Sequence, residues 1–519
     1  MNDTYDTLKQ SITENNPTIG NTINIDTTIE NNNKINARNL WKKCNGDYQW
    51  HSSIDSTIKS GEVGDFGKKV IFIEDREKRK EVYGICGECN EPGTGRRWCQ
   101  PCNAKRFKEN FKNWTSGNKN IDEFIQQSQL NAVYYRKFLE WIPFENFENV
   151  TYITRGGFSK IYSADWPEGF IRFWDIEDQE WNRDPNIKVA LKSLDNSFDI
   201  STDFLNEINS YISEYYFCII RCYGITQDPN TKDYMMILKY CKEGNLRKWV
   251  DKEKNLNCNF KIKNLTDIIS GLVGIHKAGK VHKDFHSGNI LFIDPCTPII
   301  NDLGMCQPVH IENNKKQSVE GVYGVMPYMA PEILRGYQYT KAADIYSFGI
   351  IMNEYISGET PYNDIPHDHV LAVKICKGFR PKISEDTPKL IADLILKCWD
   401  VKIENRPTAN ELYQILKKWY GERFDSKSEI YSQIMECDKI RKNKLRHRPN
   451  EKKSKKKHLQ THPQAIYTSR FLNFKNLPEP VNSTDLSLFQ DSISSISAPI
   501  SECLDCELSE LDLNQDDDE

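Results

Sequence analysis

Three polar residues stand where short apolar strands are expected to begin or end. Asp284 and Asn289 are five residues apart, just before an apolar strand, and Asp302 lies at the end of the next strand, before Gly304. Carboxylate and amide oxygens suit Mg²⁺, which keeps several waters and binds only one or two protein groups. Each residue alone is more typical of a structural turn. Together, in this order, they predict that Asn289 and Asp302 bind Mg²⁺ while Asp284 faces an incoming hydroxyl group.

A lysine and a glutamate upstream could form a buried ion pair. Lys192 ends an apolar strand and lies on its inner face. A capped amphipathic helix follows from Ser201, and Glu207 lies beside the apolar stripe of that helix. Because a buried lysine needs a counter-charge, Glu207 is predicted to pair with Lys192.

A glycine-containing turn precedes this lysine. Gly156 and Gly157 lie between two short β-like runs, where backbone N–H groups could approach a polyphosphate. A Gly-Gly pair by itself is more often an ordinary hairpin turn. The phosphate-binding interpretation therefore depends on the residues that follow the turn.

In this order, the segments resemble the signature motifs of the eukaryotic protein kinase superfamily. V-A-L-K ends at Lys192, H-K-D-F-H-S-G-N runs over 282–289, and D-L-G runs over 302–304. Further matches are A-P-E at 330–332, D-I-Y-S-F-G at 344–349, and Arg406. The resemblance covers about 147–421 and is closest to the tyrosine-kinase-like serine/threonine branch.

The resemblance implies an α+β fold with a small, mostly β lobe and a large, mostly α lobe, and with ATP bound between them. It implies that Lys192 binds the α- and β-phosphates and pairs with Glu207, and that Asp284 orients and deprotonates the substrate hydroxyl. With Asn289 and Asp302, these form the implied catalytic set. The implied contacts to the rest of the nucleotide are Ile153, Gly156, Gly157, Ile161, Ala190, Leu238, Lys239, Tyr240, Cys241 and Leu291.

The implied activity is transfer of the γ-phosphoryl group of ATP to Ser or Thr hydroxyls of protein substrates in intracellular signalling, with Tyr left open. His286 and Val325 match neither the serine/threonine nor the tyrosine form at two positions linked to acceptor choice. The alternative is a pseudokinase scaffold that binds partners through its kinase-like and zinc modules. Lys283, in place of an arginine, and the substituted glycines at Thr154 and Ser159 favour that alternative, whereas the complete catalytic set favours an active enzyme.

Four cysteines form two C-x-x-C pairs, Cys86 with Cys89 and Cys99 with Cys102. Two tight turns that each present two thiolates complete a tetrahedral sulfur cage, which predicts a structural, zinc-ribbon-like site for Zn²⁺. Four protein ligands leave no open position for catalysis. The basic residues around Trp98 are interpreted as a solvated surface rather than a nucleic-acid face, and a protein partner of the module is left open.

The chain divides into five predicted regions. Residues 1–40 form a disordered Asn/Thr-rich tract, 82–106 the zinc module, and 120–142 a linking helix. Residues 147–421 form the kinase domain, and 425–519 form a mostly disordered tail that is first basic and then acidic. Within the kinase domain, a stretch with Trp166, Trp174 and Trp181 is too long for a hairpin loop, so it is predicted to form a flap whose tryptophans cover local core.

The composition is consistent with a folded protein of this kind. Of 519 residues, 38% are hydrophobic and 28% charged, which excludes a chain disordered throughout. The sequence has no run near the 18 or so apolar residues of a membrane span, and its start lacks the plan of a signal peptide. We therefore expect a cytoplasmic or nuclear protein whose 16 cysteines form no disulfides, without a membrane partner.

Overall fold

The computed structural model describes residues 52–54, 70–156, 159–194, 202–212, 218–252, 257–308, 321–446 and 461–482. Several predictions lie outside these residues: the N-terminal tract 1–40, the nucleotide contact Gly157, and the acidic end of the tail. No helix in the described ranges is long and apolar enough to cross a membrane.

The N-terminal module combines a short parallel strand pair with helices around the four cysteines. Its elements are β1 (Ser52–Ile54), β2 (Val70–Phe72), α1 (Arg76–Tyr83), α2 (Gln100–Asn110) and α3 (Lys119–Leu130). The Asp75 side chain caps α1 by accepting the Lys78 N–H at 3.0 Å. Cys99 is the residue before α2, and Pro101 lies in the first turn of that helix, where its missing N–H costs no hydrogen bond. The cysteines are thus held by a turn and by a helix start.

Helix α3 begins at its Asn118 cap and ends at Leu130, so the prediction of one helix over 120–142 is wrong. After Leu130 the chain turns back along the helix. Ser128 and Gln129 bond to the returning backbone: Ser128 Oγ accepts from Leu139 N at 3.1 Å, and Gln129 Nε2 donates to Leu139 O at 2.9 Å. The apolar residues beyond 130 fit helical spacing but are buried by this return instead, since Ala132 and Leu139 are almost fully inaccessible.

The small lobe is built around a twisted sheet with one helix, α4 (Thr202–Ile212). Its strands are β3 (Glu140–Trp141), β4 (Glu148–Arg155), β5 (Ser159–Trp166), β6 (Phe170–Asp175), β7 (Glu180–Asp184), β8 (Ile187–Leu194), β9 (Cys222–Gln227) and β10 (Tyr234–Lys239). Among the described residues the main sheet has the order β3-β9-β10-β8-β5-β4, and β6 pairs with β7 as a separate hairpin. The strands pair antiparallel except β3 with β9.

The β6–β7 hairpin is the predicted flap, and it packs against the N-terminal module. The Trp181 ring stacks on Trp98 and Phe107, with centroids 6.0 and 4.8 Å apart. The Arg106 guanidinium lies 4.3 Å from the centroid of Trp174. Trp166 is buried in the small-lobe core, as predicted, whereas Trp174 and Trp181 join the lobe to the module.

The large lobe is mainly helical. Its helices are α5 (Leu246–Lys252), α6 (Cys258–Lys277), α7 (Pro331–Leu334), α8 (Lys341–Ser357), α9 (His369–Cys376), α10 (Lys389–Cys398) and α11 (Ala409–Glu422). Short strands lie between them: β11 (Gly244–Asn245), β12 (Lys280–Val281), β13 (Ile290–Phe292), β14 (Pro298–Ile300), β15 (Gln307–Pro308) and β16 (Val322–Gly324). Arg406 pairs with both carboxylate oxygens of Glu332 at 2.6 and 2.9 Å. The two-lobed α+β fold is confirmed.

The region 425–519 is not mostly disordered where the structure describes it. Helix α12 (Glu429–Arg446) buries Ile430, Ile434 and Cys437, which recur at the spacing of one helical face. Strand β17 (Arg470–Leu472) pairs antiparallel with β16. The tail prediction is therefore wrong for these parts, because the many charged residues concealed a short apolar period.

Helix α3 shares a buried cluster with α4, which predicts that the module stabilises the small lobe. Ile125 is fully buried in the cluster that contains Phe204 and Ile208. We expect Ile125→Ala to lower the free energy of unfolding by about 2–4 kcal/mol, because it leaves a cavity in this shared core. Chemical denaturation measures the change. The matched control is Gln127→Ala on the exposed face of α3, and equal stability of the two variants would contradict the prediction.

Candidate active site

Lys192 is buried in the sheet and paired with two carboxylates. In β8 it lies opposite Ile161 of β5 and Met236 of β10. Its Nζ is 2.6 Å from Glu207 Oε1 and 2.9 Å from Asp302 Oδ1. The side chains of Lys192 and Glu207 are 5% and 3% exposed, so water screens this pair little. The predicted pair of Lys192 and Glu207 is therefore formed, with Asp302 as a third member.

Electrostatics keep this cluster charged. Burial alone would lower the pKa of the Lys192 ammonium, but the carboxylates of Asp302 and Glu207 raise it above its ordinary value. Burial alone would raise the pKa of Asp302, yet the Lys192 ammonium lowers it overall. Asp302 therefore stays ionised at neutral pH and can bind a cation.

Local backbone geometry places Asp302 and Glu207 close together. Asp302 follows β14 with a φ of +58°, a left-handed conformation that turns the chain sharply. A Cβ on Gly304 would lie 2.9 Å from Glu207 Oε2, so only glycine lets this turn approach α4 so closely. Tyr211, one helical turn after Glu207, donates from its hydroxyl to Glu207 Oε1 at 2.8 Å. The motifs did not predict this tyrosine, although its i+4 spacing from Glu207 is a signal.

Asp284 and Asn289 contact each other as the catalytic-loop motif implies. Asn289 Nδ2 donates to the Asp284 backbone carbonyl at 2.9 Å and to Asp284 Oδ2 at 3.3 Å. Asp284 Oδ1 is buried and has no hydrogen-bond partner among the residues that the structure describes. These two hydrogen bonds hold the Asn289 side-chain nitrogen towards Asp284, so the amide oxygen faces away from Asp284.

Asp344 of the D-I-Y-S-F-G motif holds the catalytic loop in place. Its carboxylate accepts the backbone N–H groups of His282 and Lys283 at 2.8 and 3.1 Å, and His276 Nε2 is 2.9 Å away. Lys283 has a φ of +69°, and its Nζ donates to Gln307 Oε1 at 3.0 Å. Lys283, which stands in place of an arginine, therefore forms a hydrogen bond with β15.

A serine far along the chain contacts Asp284. Ser469 Oγ donates to Asp284 Oδ2 at 2.5 Å, and His286 Nε2 lies 3.5 Å from both of these oxygens. His286 Nδ1 accepts from Gly288 N at 3.0 Å, so a neutral imidazole carries its proton on Nε2, facing them. Burial would raise the pKa of Asp284, but its contact with His286 and the hydrogen bond of Ser469 lower it to about 2.

Several of the residues implied for nucleotide binding lie on the strands next to Lys192. Ala190 lies opposite Leu238 in the β8–β10 pairing, and Leu238 is 3% exposed. Gly156 N donates to Ser159 O at 2.7 Å and closes the phosphate-loop turn. Ile153 is more exposed, at 43%. The other described members of the set are half-buried: Ile161, Lys239, Tyr240, Cys241 and Leu291.

The four cysteines of the N-terminal module converge. All their Sγ atoms lie within 4.8 Å of one another, with Cys86–Cys102 at 3.9 Å and Cys89–Cys99 at 3.5 Å. A tetrahedron with Zn–S bonds of about 2.3 Å has edges of about 3.8 Å, so the cluster is compatible with zinc. The hydrogen bond from Cys99 lowers the pKa of Cys86 to about 5, while burial and the Cys86 charge raise the pKa of Cys102 to about 12. Four thiolates therefore require a cation between them.

The buried pair generates a stability prediction. Glu207→Gln keeps the shape of the side chain but removes one of the two charges that compensate the Lys192 ammonium. We expect the free energy of unfolding to fall by about 1–3 kcal/mol, the usual penalty for an undercompensated buried charge. Urea unfolding measures it, with Glu180→Gln on the exposed side of β7 as the control. The prediction fails if both variants unfold at the same urea concentration.

Comparison with known proteins finds similar sequences among protein kinases. A LIM domain-containing serine/threonine-protein kinase designated probable, from Dictyostelium discoideum, is 32% identical over 199 residues, which cover 38% of this chain and 20% of the relative. The serine/threonine-protein kinase VIK of Arabidopsis thaliana is 26% identical over 281 residues, covering 53% of this chain and 60% of the relative. The dual specificity protein kinase shkA of Dictyostelium discoideum is 28% identical over 242 residues, covering 45% of each protein. The matches span from about a fifth to about three fifths of these relatives. Residues 147–416 match the family described as protein tyrosine and serine/threonine kinases, and the chain belongs to that family.

Proposed function

We propose that the chain is an ATP-dependent protein kinase that transfers the γ-phosphoryl group to serine or threonine hydroxyls of proteins in intracellular signalling. The observation that carries the proposal is the convergence of five side chains from distant parts of the chain. Glu207 and Asp302 each lie within 3 Å of the Lys192 ammonium, and Asp284 with Asn289 faces a hydroxyl group. Phosphoryl transfer requires mainly positioning and charge neutralisation, which this set can supply.

The kinase family implies ATP and Mg²⁺, and the residues present fit both. Lys192 would bind the α- and β-phosphates, since its ammonium is held on the floor of the cleft by Glu207. Asp302 is 39% exposed although its partners are buried, and with Asn289 it offers the oxygen ligands that Mg²⁺ prefers. Bound Mg²⁺ supplies neutralisation of phosphate charge.

Asp284 would orient the attacking hydroxyl and receive its proton. A carboxylate whose pKa is about 2 is ionised throughout the physiological range, so it accepts a hydrogen bond from the hydroxyl before reaction. Such a weak base takes the proton late, as the oxygen bonds to phosphorus. The N–H of His286 Nε2 lies beside Asp284 Oδ2 and beside the hydroxyl oxygen bonded to it. It can therefore stabilise negative charge on either oxygen.

The short distance to Asp284 favours serine and threonine over tyrosine as acceptors. A serine Oγ reaches Asp284 Oδ2 at 2.5 Å from the residue just before β17, which pairs with β16. A tyrosine hydroxyl extends farther from its backbone and would need a strand held farther out. The serine/threonine names of two of the relatives support the same choice.

The pseudokinase alternative is not favoured. A scaffold has no need for a charged lysine buried between two carboxylates, because that arrangement is stable only while its partners are complete. The substitutions at Thr154 and Ser159 affect the phosphate loop but leave the five catalytic positions filled.

Magnesium-dependent phosphate transfer tests the proposal. We expect the purified chain to phosphorylate myelin basic protein with Mg-ATP, Asp302→Ala to abolish the transfer, and Asp284→Asn to reduce it by about 10²–10⁴-fold. Asp178→Ala, on the exposed turn of the flap, is the control and should act as wild type. Equal phosphate incorporation by wild type and Asp302→Ala would contradict the proposal. Absence of both turnover and thermal stabilisation by Mg-ATP would favour the scaffold.

For the four-cysteine cluster we propose a structural Zn²⁺ with Cys86, Cys89, Cys99 and Cys102 as its ligands. The spacing of the sulfur atoms and the need for a cation among thiolates support it. The ion would hold the turn that bears Cys86 and Cys89 against the start of α2. From there Trp98 contacts the flap.

Metal analysis tests the zinc site. We expect one zinc per chain by atomic emission and its loss in Cys86→Ser, because three thiolates and a hydroxyl bind zinc far more weakly. The thermal midpoint should fall with the metal, since binding energy at such sites contributes to folding. Cys296→Ser in the large lobe is the control. A wild type that contains no zinc after purification without chelator would refute the assignment.

A further inference from the structure

Residues 461–482, the docked segment, lie along the large lobe with Ser469 at the catalytic aspartate. Ser469 is the residue whose hydroxyl donates to Asp284 Oδ2, the position where a substrate hydroxyl has to be for transfer. Taking the proposed kinase function as given, we infer that Ser469 is phosphorylated by its own catalytic site, and that the docked segment is a tethered substrate that competes with other protein substrates.

Backbone pairing fixes the register of the docked segment. Strand β17 pairs with β16 so that Val322, Tyr323 and Gly324 lie opposite Leu472, Phe471 and Arg470. The Tyr323 hydroxyl donates to the Ser469 carbonyl at 2.9 Å. These bonds set the depth of the strand, so the serine, and no neighbouring residue, reaches Asp284.

Side-chain contacts on the N-terminal side of the serine are specific. The Tyr467 ring lies 4.4 Å from the Arg247 guanidinium and meets the His367 ring edge-on at 4.9 Å. Its hydroxyl donates to the Pro361 carbonyl at 2.8 Å. The large-lobe surface that holds the docked segment, here called the groove, thus recognises an aromatic residue two positions before the acceptor serine.

Contacts on the C-terminal side are equally defined. Arg470 Nη2 donates to the His367 carbonyl at 2.7 Å, and Leu472 is 7% exposed within the main core cluster. The Phe471 ring fills the space in which Gly321 has no side chain, since a Cβ there would lie 2.2 Å from the ring. A peptide with an aromatic residue, then serine, arginine and leucine at these offsets is the substrate class that fits.

The ends of the docked segment are attached as well as its centre. His462 N donates to Asn363 O at 2.8 Å, and Val481 N donates to Cys376 O at 2.9 Å. Glu479 forms an ion pair with Arg335. Because the segment belongs to the same chain, its effective concentration at the groove is on the order of millimolar. An external peptide must compete with that concentration.

The transfer is balanced within the site. The bond between the γ-phosphorus of ATP and the oxygen that bridges to the β-phosphate breaks, and a bond from that phosphorus to Ser469 Oγ forms. The hydroxyl proton passes to Asp284, and ADP leaves with the bridging oxygen. The new phosphate carries a charge of about −1.5 to −2 beside the buried carboxylate of Asp284. Repulsion between these charges favours release of the docked segment.

Concentration dependence tests whether the reaction is intramolecular. The full chain, first treated with phosphatase, is incubated with Mg-ATP, and phosphate on Ser469 is followed by mass spectrometry. We expect a first-order rate that is unchanged over a tenfold dilution. Thr468→Ala, whose exposed hydroxyl is adjacent, should be phosphorylated on Ser469 like wild type. A rate that rises in proportion to concentration would overturn the tethered assignment.

Competition is measured on an added peptide with the sequence of residues 461–482. We expect Tyr467→Ala in the full chain to slow phosphorylation of its own Ser469 at least tenfold and to lower KM for the added peptide several-fold. An unchanged KM and unchanged Ser469 phosphorylation would overturn the inference. A chain that phosphorylates the peptide while its own Ser469 stays unmodified also overturns it but leaves the proposed function intact. A chain that phosphorylates neither overturns both.

Discussion

The active site depends on keeping one ammonium group charged away from water. Lys192 is buried in a sheet, and a cation there is stable only with carboxylates in contact. Its partners come from a helix, α4, and from the turn after β14, which belongs to the other lobe. The two lobes and the helix must therefore be correctly placed at once for the lysine to be compensated. Of these elements, α4 with Glu207 is the hardest to place correctly, because side-chain packing holds it and the hydrogen bonds of the sheet do not.

The parts of the chain before the kinase domain help to hold that helix. Ile121 and Ile125 of α3 belong to the same buried core as Phe204 and Ile208 of α4. Lys137 Nζ donates to the Ile212 carbonyl at the C-terminal end of α4, where a positive charge also favours the helix dipole. The cysteine module and its linking segment therefore stabilise the small lobe.

Sequence motifs predicted the contacts of Lys192 with Glu207 and of Asp284 with Asn289 because each motif fixes a residue at a strand or helix end. Lys192 with Glu207 and Asp284 with Asn289 are placed by local spacing, and C-x-x-C pairs place the thiols in the same way. The return of the chain after Leu130 could not be predicted, since an apolar period continues through it. Ser469 is 185 residues from Asp284, and no local pattern encodes a contact over that distance. A cluster of aromatic residues in an otherwise polar tail was the available signal.

The aromatic stack between Trp98, Phe107 and Trp181 affects how the enzyme can be divided into recombinant pieces. A fragment that starts at the homology boundary, residue 147, would retain the β6–β7 hairpin but lose the rings that cover it. Trp174, Trp181 and Ile171 would then form an exposed hydrophobic patch on the small lobe, and such a patch promotes aggregation. The smallest soluble fragment should therefore begin upstream of α1, well before the point at which similarity to other kinases starts.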